Sequence, residues 1–205
     1  MIANPDLLSS LNGIVSGEVS PEMFADLTQI PMHTVIEIME WWSLQGIGDN
    51  WNSKSCTYYT GSRLDAGIVL IERGLPIHDI ARRLDWRDFE GLTGRILESE
   101  GFDVQYNLIM KRPRLEIDVI GIRMNVALLI DCKHWQRDVP HSVAVRQTRR
   151  AERWSTLYKM NAVPVIVTIH QEHYVVSGVP IVPIAKFRSF TEEFFGDLEH
   201  VRSTE

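Results

Sequence analysis

A chain of 205 residues, 44% hydrophobic and 23% charged, is long enough to bury one large core or two smaller ones. No stretch approaches the roughly 20 consecutive apolar residues that a membrane helix needs. The opening MIANPDLLSS lacks the basic-then-apolar pattern of a signal peptide, so the expected location is the cytoplasm, with no membrane partner. The formal net charge of -6 argues against binding of polyanions over the whole surface, and two distant cysteines, Cys56 and Cys132, indicate neither a disulfide framework nor a zinc ribbon.

From Ser20 the chain reads as a helix start, with Ser at the N-cap, Pro21 at the first helical position and Glu22 in the first turn. Ile30-Pro31 interrupts it. A second helix is predicted over residues 33–44, with Val35, Met39 and Trp42 about one turn apart and Gly46 as its stop. Residues 49–61 are polar, with Tyr58 and Tyr59 among them, and read as a β-wing, so residues 1–62 are expected to form a winged-helix-like module. Two helical stretches, 63–73 and 77–84, are punctuated by Gly74 and Pro76 and read as a connector. The expected organisation is therefore an N-terminal region, 1–84, and a second domain, 85–205.

In the second part Asp85 can cap a helix over 86–100, with Phe89, Leu92 and Ile96 facing inward and Gly101 ending it. Strands are predicted at 102–110, 115–122 and 126–133. Ser142 can cap a long helix reaching Met160, Val163 to Ile169 is a β-branched run, residues 174–184 keep β character, and 191–198 close as a helix. The order α-β-β-β-α-β-β-α predicts an α/β fold with a central mixed sheet flanked by helices.

The chemistry is concentrated in Glu116-Ile117-Asp118 and Asp131-Cys132-Lys133. A hairpin with Met124-Asn125 at its tip pairs residues whose numbers sum to 249, which sets Asp118 opposite Asp131 and Glu116 opposite Lys133, all four on one face. Facing carboxylates repel and raise each other's pKa unless a cation relieves them. Mg²⁺ takes one or two carboxylates together with water and phosphate oxygens, and a lysine two residues on can stabilise phosphate charge or orient water. A salt-bridged ladder on a wet sheet face is the structural alternative. The apolar runs Val119-Ile120 and Ala127-Leu128-Leu129-Ile130 weigh against it, because charges in strands buried on both faces need a purpose. The implied reaction is phosphodiester hydrolysis.

These residues resemble the PD-(D/E)XK (restriction endonuclease-like) nuclease superfamily, especially archaeal Holliday-junction resolvases and type IV restriction endonuclease-like proteins. The resemblance covers residues 85–186 and implies Glu90 as the helical acid completing the metal ligands Glu90, Asp118 and Asp131, with Lys133 as the fourth catalytic residue. It implies the family's helix-flanked sheet, Mg²⁺ (with Mn²⁺ as a substitute), a DNA substrate and a homodimer. Three departures stand: Ile117 where Pro is usual, Asp131 where Glu is commoner, and Gln147 followed four residues later by Ala151 rather than Tyr.

Arg146, Arg149, Arg150 and Arg153 fall at i, i+3, i+4 and i+7 of the long helix and are expected to share a face that tracks a phosphate backbone. Lys111, Arg112 and Arg114 precede the hairpin and are expected to guide DNA toward it. Trp135 can stack on a base or pack into the core. His170 and His173 have ligand-like spacing but no third partner, and are read as loop histidines. A non-catalytic DNA-binding regulator carrying a degenerate nuclease fold is the second reading, although the helix over 33–44 carries Glu37 and Glu40 and neither Lys nor Arg. Its Trp41 and Trp42 are expected to pack against the second domain or another subunit. The same acids could also cleave RNA.

Overall fold

The computed structural model describes residues 2–52, 57–59, 61–111, 114–135, 137–169, 172 and 174–202, and divides into two compact units, Met1–Asp88 and Phe89–Glu205. Cys56, Arg112, His170 and His173 lie outside the described residues.

The first unit runs α1 (Asn4–Ser10), a 3-10 turn, β1 (Glu18–Val19), α2 (Pro21–Thr28), α3 (Met32–Leu44), β2 (Asp49–Asn52), β3 (Thr57–Tyr59), α4 (Arg63–Glu72) and α5 (Ile77–Ala81). Ser20 caps α2 by accepting from Met23 N at 3.2 Å, and Gln29 ends it in the left-handed conformation at φ 59. The three short strands form a sheet in the order β1-β3-β2. Leu7, Leu11, Phe24, Val35, Ile38, Met39 and Leu70 are buried together, and Trp42 is buried with them. Its indole N–H donates to Ser10 Oγ at 2.9 Å. Trp42 therefore belongs to the core of its own unit, which corrects the expectation that it packs elsewhere. An indole one turn after Met39 and Ile38 continues their inward stripe, and Ser10 satisfies its only polar group.

In the second unit α6 (Trp86–Ser99) is followed by β4 (Asp103–Met110), β5 (Leu115–Arg123), β6 (Val126–Lys133), α7 (His141–Tyr158), β7 (Asn161–Thr168), β8 (Tyr174–Val176), β9 (Val179–Pro183) and α8 (Ile184–Arg202). Its six-stranded mixed sheet has the order β4-β5-β6-β7-β9-β8, antiparallel from β4 to β6 and between β9 and β8, parallel from β6 through β7 to β9. The β-rich stretch 174–184 is two strands, because Ser177 and Gly178 both take positive φ, 52 and 78, and turn the chain back. The last helix begins at Ile184, well before 191.

The hairpin that carries the acids has the expected register: Arg123 pairs with Val126 and Val119 with Ile130. Met124 and Asn125 have φ 51 and 60, the values a two-residue type I′ turn demands, although neither is glycine. Alternation along β5 and β6 sorts the side chains. Ile120, Ala127 and Leu129 pack against Ala151 and Trp154 of α7. Gly121 points the other way, where an added Cβ would lie 2.8 Å from Leu97 of α6 and 3.1 Å from Phe102. Phe102 in turn meets Phe195 of α8 edge-on, ring centres 4.9 Å apart. The sheet thus has α7 on one face and α6 and α8 on the other. Pro164 is accommodated within β7 because the β7–β9 ladder begins only at Ile166, so a missing N–H costs no bond to β9 there.

Candidate active site

The β5–β6 ladder ends at Val119–Ile130, and just beyond it the site begins. Asp118 turns its carboxylate across the gap and accepts a hydrogen bond from Cys132 N at 2.7 Å. On β4, Asn107 takes φ 52, and the regular pairs Tyr106–Val119 and Leu108–Ile117 flank it opposite Asp118. Asp131 lies on the α7 face with Leu129 and is only 2% exposed. Its Oδ1 accepts from Arg150 Nη1 at 2.7 Å. Its Oδ2 lies 2.6 Å from Lys133 Nζ, an ion pair without the directionality of a hydrogen bond. Burial, reinforced by the neighbouring charge of Asp131, pushes the Asp118 carboxyl above its usual range, against the opposing pull of Cys132 N–H, Lys133 and Arg150.

Arg150 is held from behind. Gln147, fully buried on α7, accepts from Arg150 Nη1 at 3.1 Å and donates to Leu129 O at 2.7 Å and Val165 O at 3.4 Å. One carboxamide therefore ties the helix to both β6 and β7 and fixes the guanidinium that grips Asp131. Arg150 was expected to share an outward face with Arg146, Arg149 and Arg153. Arg146 and Arg149 are exposed, whereas Arg150 turns into the site. The physical reason is the depth of Asp131, a buried carboxylate that requires cations. The signal that could have found this is the spacing Gln147-x-x-Arg150, which stacks two long polar side chains one turn apart on the helix.

Asp118, Asp131 and Lys133 come together as their register required; Glu116 is exposed and pairs with Ile109 of β4 instead of facing Lys133. Glu90, 8% exposed on α6, is not gathered with them: among the described residues no three His, Cys, Asp or Glu side chains form a group able to hold a metal. Its charge acts with those of Asp118 and Asp131 on the Cys132 thiol, which burial already pushes well above its usual value. Cys132 points to the α6 face, its Sγ 3.6 Å from Thr93 Oγ1. Beside the site, the Trp135 ring has Arg137 Cζ 4.2 Å and Lys133 Nζ 5.8 Å from its centre, while the His134 ring meets Phe89 edge-on. Lys111 and Arg114 are exposed at the β4–β5 turn.

A divalent cation fits what is here. Asp118 is destabilised as an anion by burial and by its neighbour Asp131, whose two oxygens already draw cations, Lys133 and Arg150, and two carboxylates are the number Mg²⁺ takes when water and phosphate supply the rest.

A helix-flanked mixed sheet with paired acids and a lysine where two central strands part is the architecture of the restriction-endonuclease-like class. A family model described as restriction endonuclease matches residues 81–171, which form a restriction-endonuclease-like domain within the chain. A protein of Archaeoglobus fulgidus, described as uncharacterized, is 31% identical over 113 residues, covering 51% of this chain and 88% of its own length. Among solved structures, protein VC1899 from Vibrio cholerae aligns at TM-score 0.45 and 13% identity over 93% of this chain and 50% of that one. Can2 from Sulfobacillus thermosulfidooxidans, solved in complex with cyclic tetra-adenylate, aligns at 0.43 and 12% over 91% and 50%. The chain spans about half the length of these two solved chains. No helix among the described residues is long and apolar enough to cross a membrane.

Proposed function

We propose that the second unit is a metal-dependent endodeoxyribonuclease, hydrolysing phosphodiester bonds in DNA during repair, recombination or restriction. The observation that carries this reading is the juxtaposition of Asp118, Asp131 and Lys133 at the parting of β5 and β6, with Asp131 almost wholly buried. Such a cluster is costly to build unless it acts on something. Asp118 and Asp131 would hold Mg²⁺ or Mn²⁺; Glu90, the third ligand the resemblance implies, stands apart from them on α6, on the Cys132 side of β6. The bound ion supplies Lewis-acid polarisation of the phosphate and activation of water. Lys133 places its ammonium against the phosphate oxygens, where charge accumulates as the attacking oxygen arrives. Arg146 and Arg149 on the exposed side of α7, and Lys111, Arg112 and Arg114 before β5, would track the backbone; Arg153 is half-buried with its Nε inside the protein, and only the outer part of its guanidinium could extend that stripe. A homodimer would bring two such sites to the two strands of a duplex.

The first unit is read as a winged-helix-like module. Glu37 and Glu40 on α3 disfavour insertion of that helix into a DNA groove, so the nuclease reading is preferred over a DNA-reading regulator.

The test is cleavage of labelled duplex, single-stranded, flap and four-way-junction DNA, with an RNA arm, in Mg²⁺, Mn²⁺ or EDTA. Metal-dependent cuts are expected from the native chain and from neither Asp131→Ala nor Lys133→Ala, and the preferred substrate then names the role. Binding without cutting in any metal would leave the regulatory reading in its place.

A further inference from the structure

The carboxylate pair is formally neutralised before any metal arrives: two anions, Asp118 and Asp131, face two cations, Lys133 and Arg150. Lys133 belongs to the same strand end as Asp131. Arg150 is different in kind. It reaches in from α7, its guanidinium takes the Asp131 oxygen opposite Lys133, and its neighbours Arg146 and Arg149 stand on the exposed side of the same helix. A divalent cation approaching Asp131 meets this positive charge at 2.7 Å from one of the two oxygens. The guanidinium grips carboxylates and phosphates with the same fork of N–H donors, so a phosphate anion is the natural competitor for it.

Resting on the nuclease reading above, we propose that Arg150 is a counter-ion that moves: it neutralises Asp131 in the metal-free site and passes to a phosphate of the substrate backbone, which frees Asp131 for the metal. Gln147 is the pivot. Its Oε1 accepts from the Nη1 edge of the guanidinium while its amide stays anchored on Leu129 O, so the arginine can change its anion without the helix shifting. Metal and polyanion then bind cooperatively, and by linkage each strengthens the other by the same factor. The device keeps a hydrolytic site poorly loaded with metal until a phosphodiester is in place. Arg150 acts through Asp131 and the substrate, and is a positioning residue.

The test measures Mn²⁺ binding to the full chain from the resonance of free Mn²⁺, with no turnover involved. It is run alone, with a phosphorothioate duplex that keeps the backbone charge and resists hydrolysis, and with an uncharged methylphosphonate duplex. In the native chain the phosphorothioate duplex is expected to tighten Mn²⁺ binding about tenfold or more, and the methylphosphonate duplex not at all. Arg150→Gln is expected to bind Mn²⁺ about tenfold more tightly than the native chain without DNA, the scale of one unit charge removed beside a divalent ion in a partly solvated site. Its duplex effect should shrink accordingly. Arg150→Lys, which keeps the charge, should return Mn²⁺ affinity to the native value, with circular dichroism showing both variants folded. Unchanged or weaker Mn²⁺ binding in Arg150→Gln overturns the proposal, and so does a duplex effect that persists in full. Failure of the underlying reading looks different: the native chain would then bind no Mn²⁺ with or without DNA, and Asp118→Asn and Asp131→Asn would alter nothing.

Discussion

Replacing Gln147 by Leu tests the joint that holds the site together. The side chain has nearly the same volume, so no cavity opens, and what is lost is the carboxamide. The strong bond is Nε2 to Leu129 O at 2.7 Å; the 3.4 Å approach to Val165 O adds little. The net worth of that bond is about 0.5–1.5 kcal/mol, Leu129 lying on a strand paired on both sides; loss of the Arg150 acceptor adds to it and the apolar burial of Leu returns part, so a net loss of about 1–2 kcal/mol is expected. With a typical urea slope of about 2 kcal/mol per molar, the midpoint should fall by about 0.5–1 M. The measurement is urea unfolding followed by amide protection in β6 and β7, which reads the second unit by itself. The guanidinium also loses its acceptor at 3.1 Å, so a variant that folds should cut DNA more slowly than the native chain. An unmoved midpoint would falsify the claim that Gln147 is the tie between α7 and the two central strands.

Two further outcomes follow from the same geometry. Burial and Asp131 raise the folded Asp118 carboxyl above the usual carboxylate range, so the folded chain holds that proton more tightly than the unfolded one. In metal-free buffer this contribution favours folding at low pH and is lost as pH climbs through the raised value. Asp118→Asn should therefore melt higher than the native chain above that window and match it below, and parallel curves of melting temperature against pH would sink the assignment. At Gly94 of α6 an added Cβ would lie 2.2 Å from Tyr106 Oη and 2.3 Å from its Cε1. Gly94→Ala should destabilise by about 1–3 kcal/mol, and by displacing Tyr106 from Glu98 it should lower a phenol pKa now held at about 12 by burial and that carboxylate, as ultraviolet titration would show.

Much of this was legible because strand arithmetic is rigid. Polar Asn125 among apolar neighbours marks a hairpin tip, and once the tip is placed the period of two decides which acids meet. Glu116 escaped that arithmetic because the strands part beyond Val119, and a side chain outside the ladder has no register partner there. Arg150 escaped because helical spacing gives a direction around the axis and says nothing of how deep a guanidinium can reach. Gln147 was visible in the sequence only through the missing Tyr after it, whereas its work is done through backbone carbonyls, which carry no residue-specific mark. The positive φ of Asn107 has one mark in the sequence, a residue that tolerates the left-handed region set within a run of β-favouring neighbours. The helical acid of the resemblance, Glu90, is buried on α6 where its place in the chain implied, yet lies toward Cys132 rather than beside the two aspartates.

The tight turn at Met124-Asn125 has a bearing on how such a chain can change over generations. Substitutions along β5 and β6 alter packing one side chain at a time, but gaining or losing one residue at the tip would rotate every later position of β6 onto the opposite face. Asp131 would then stand where Cys132 now meets Thr93, and the lysine would follow it away from α7. The twelve residues between Asp118 and Asp131 are thus a length held fixed, more strictly than their identities. Insertions that spare function belong elsewhere, in the segments after Lys133 and around Ser177-Gly178, where the chain can lengthen without moving an acid.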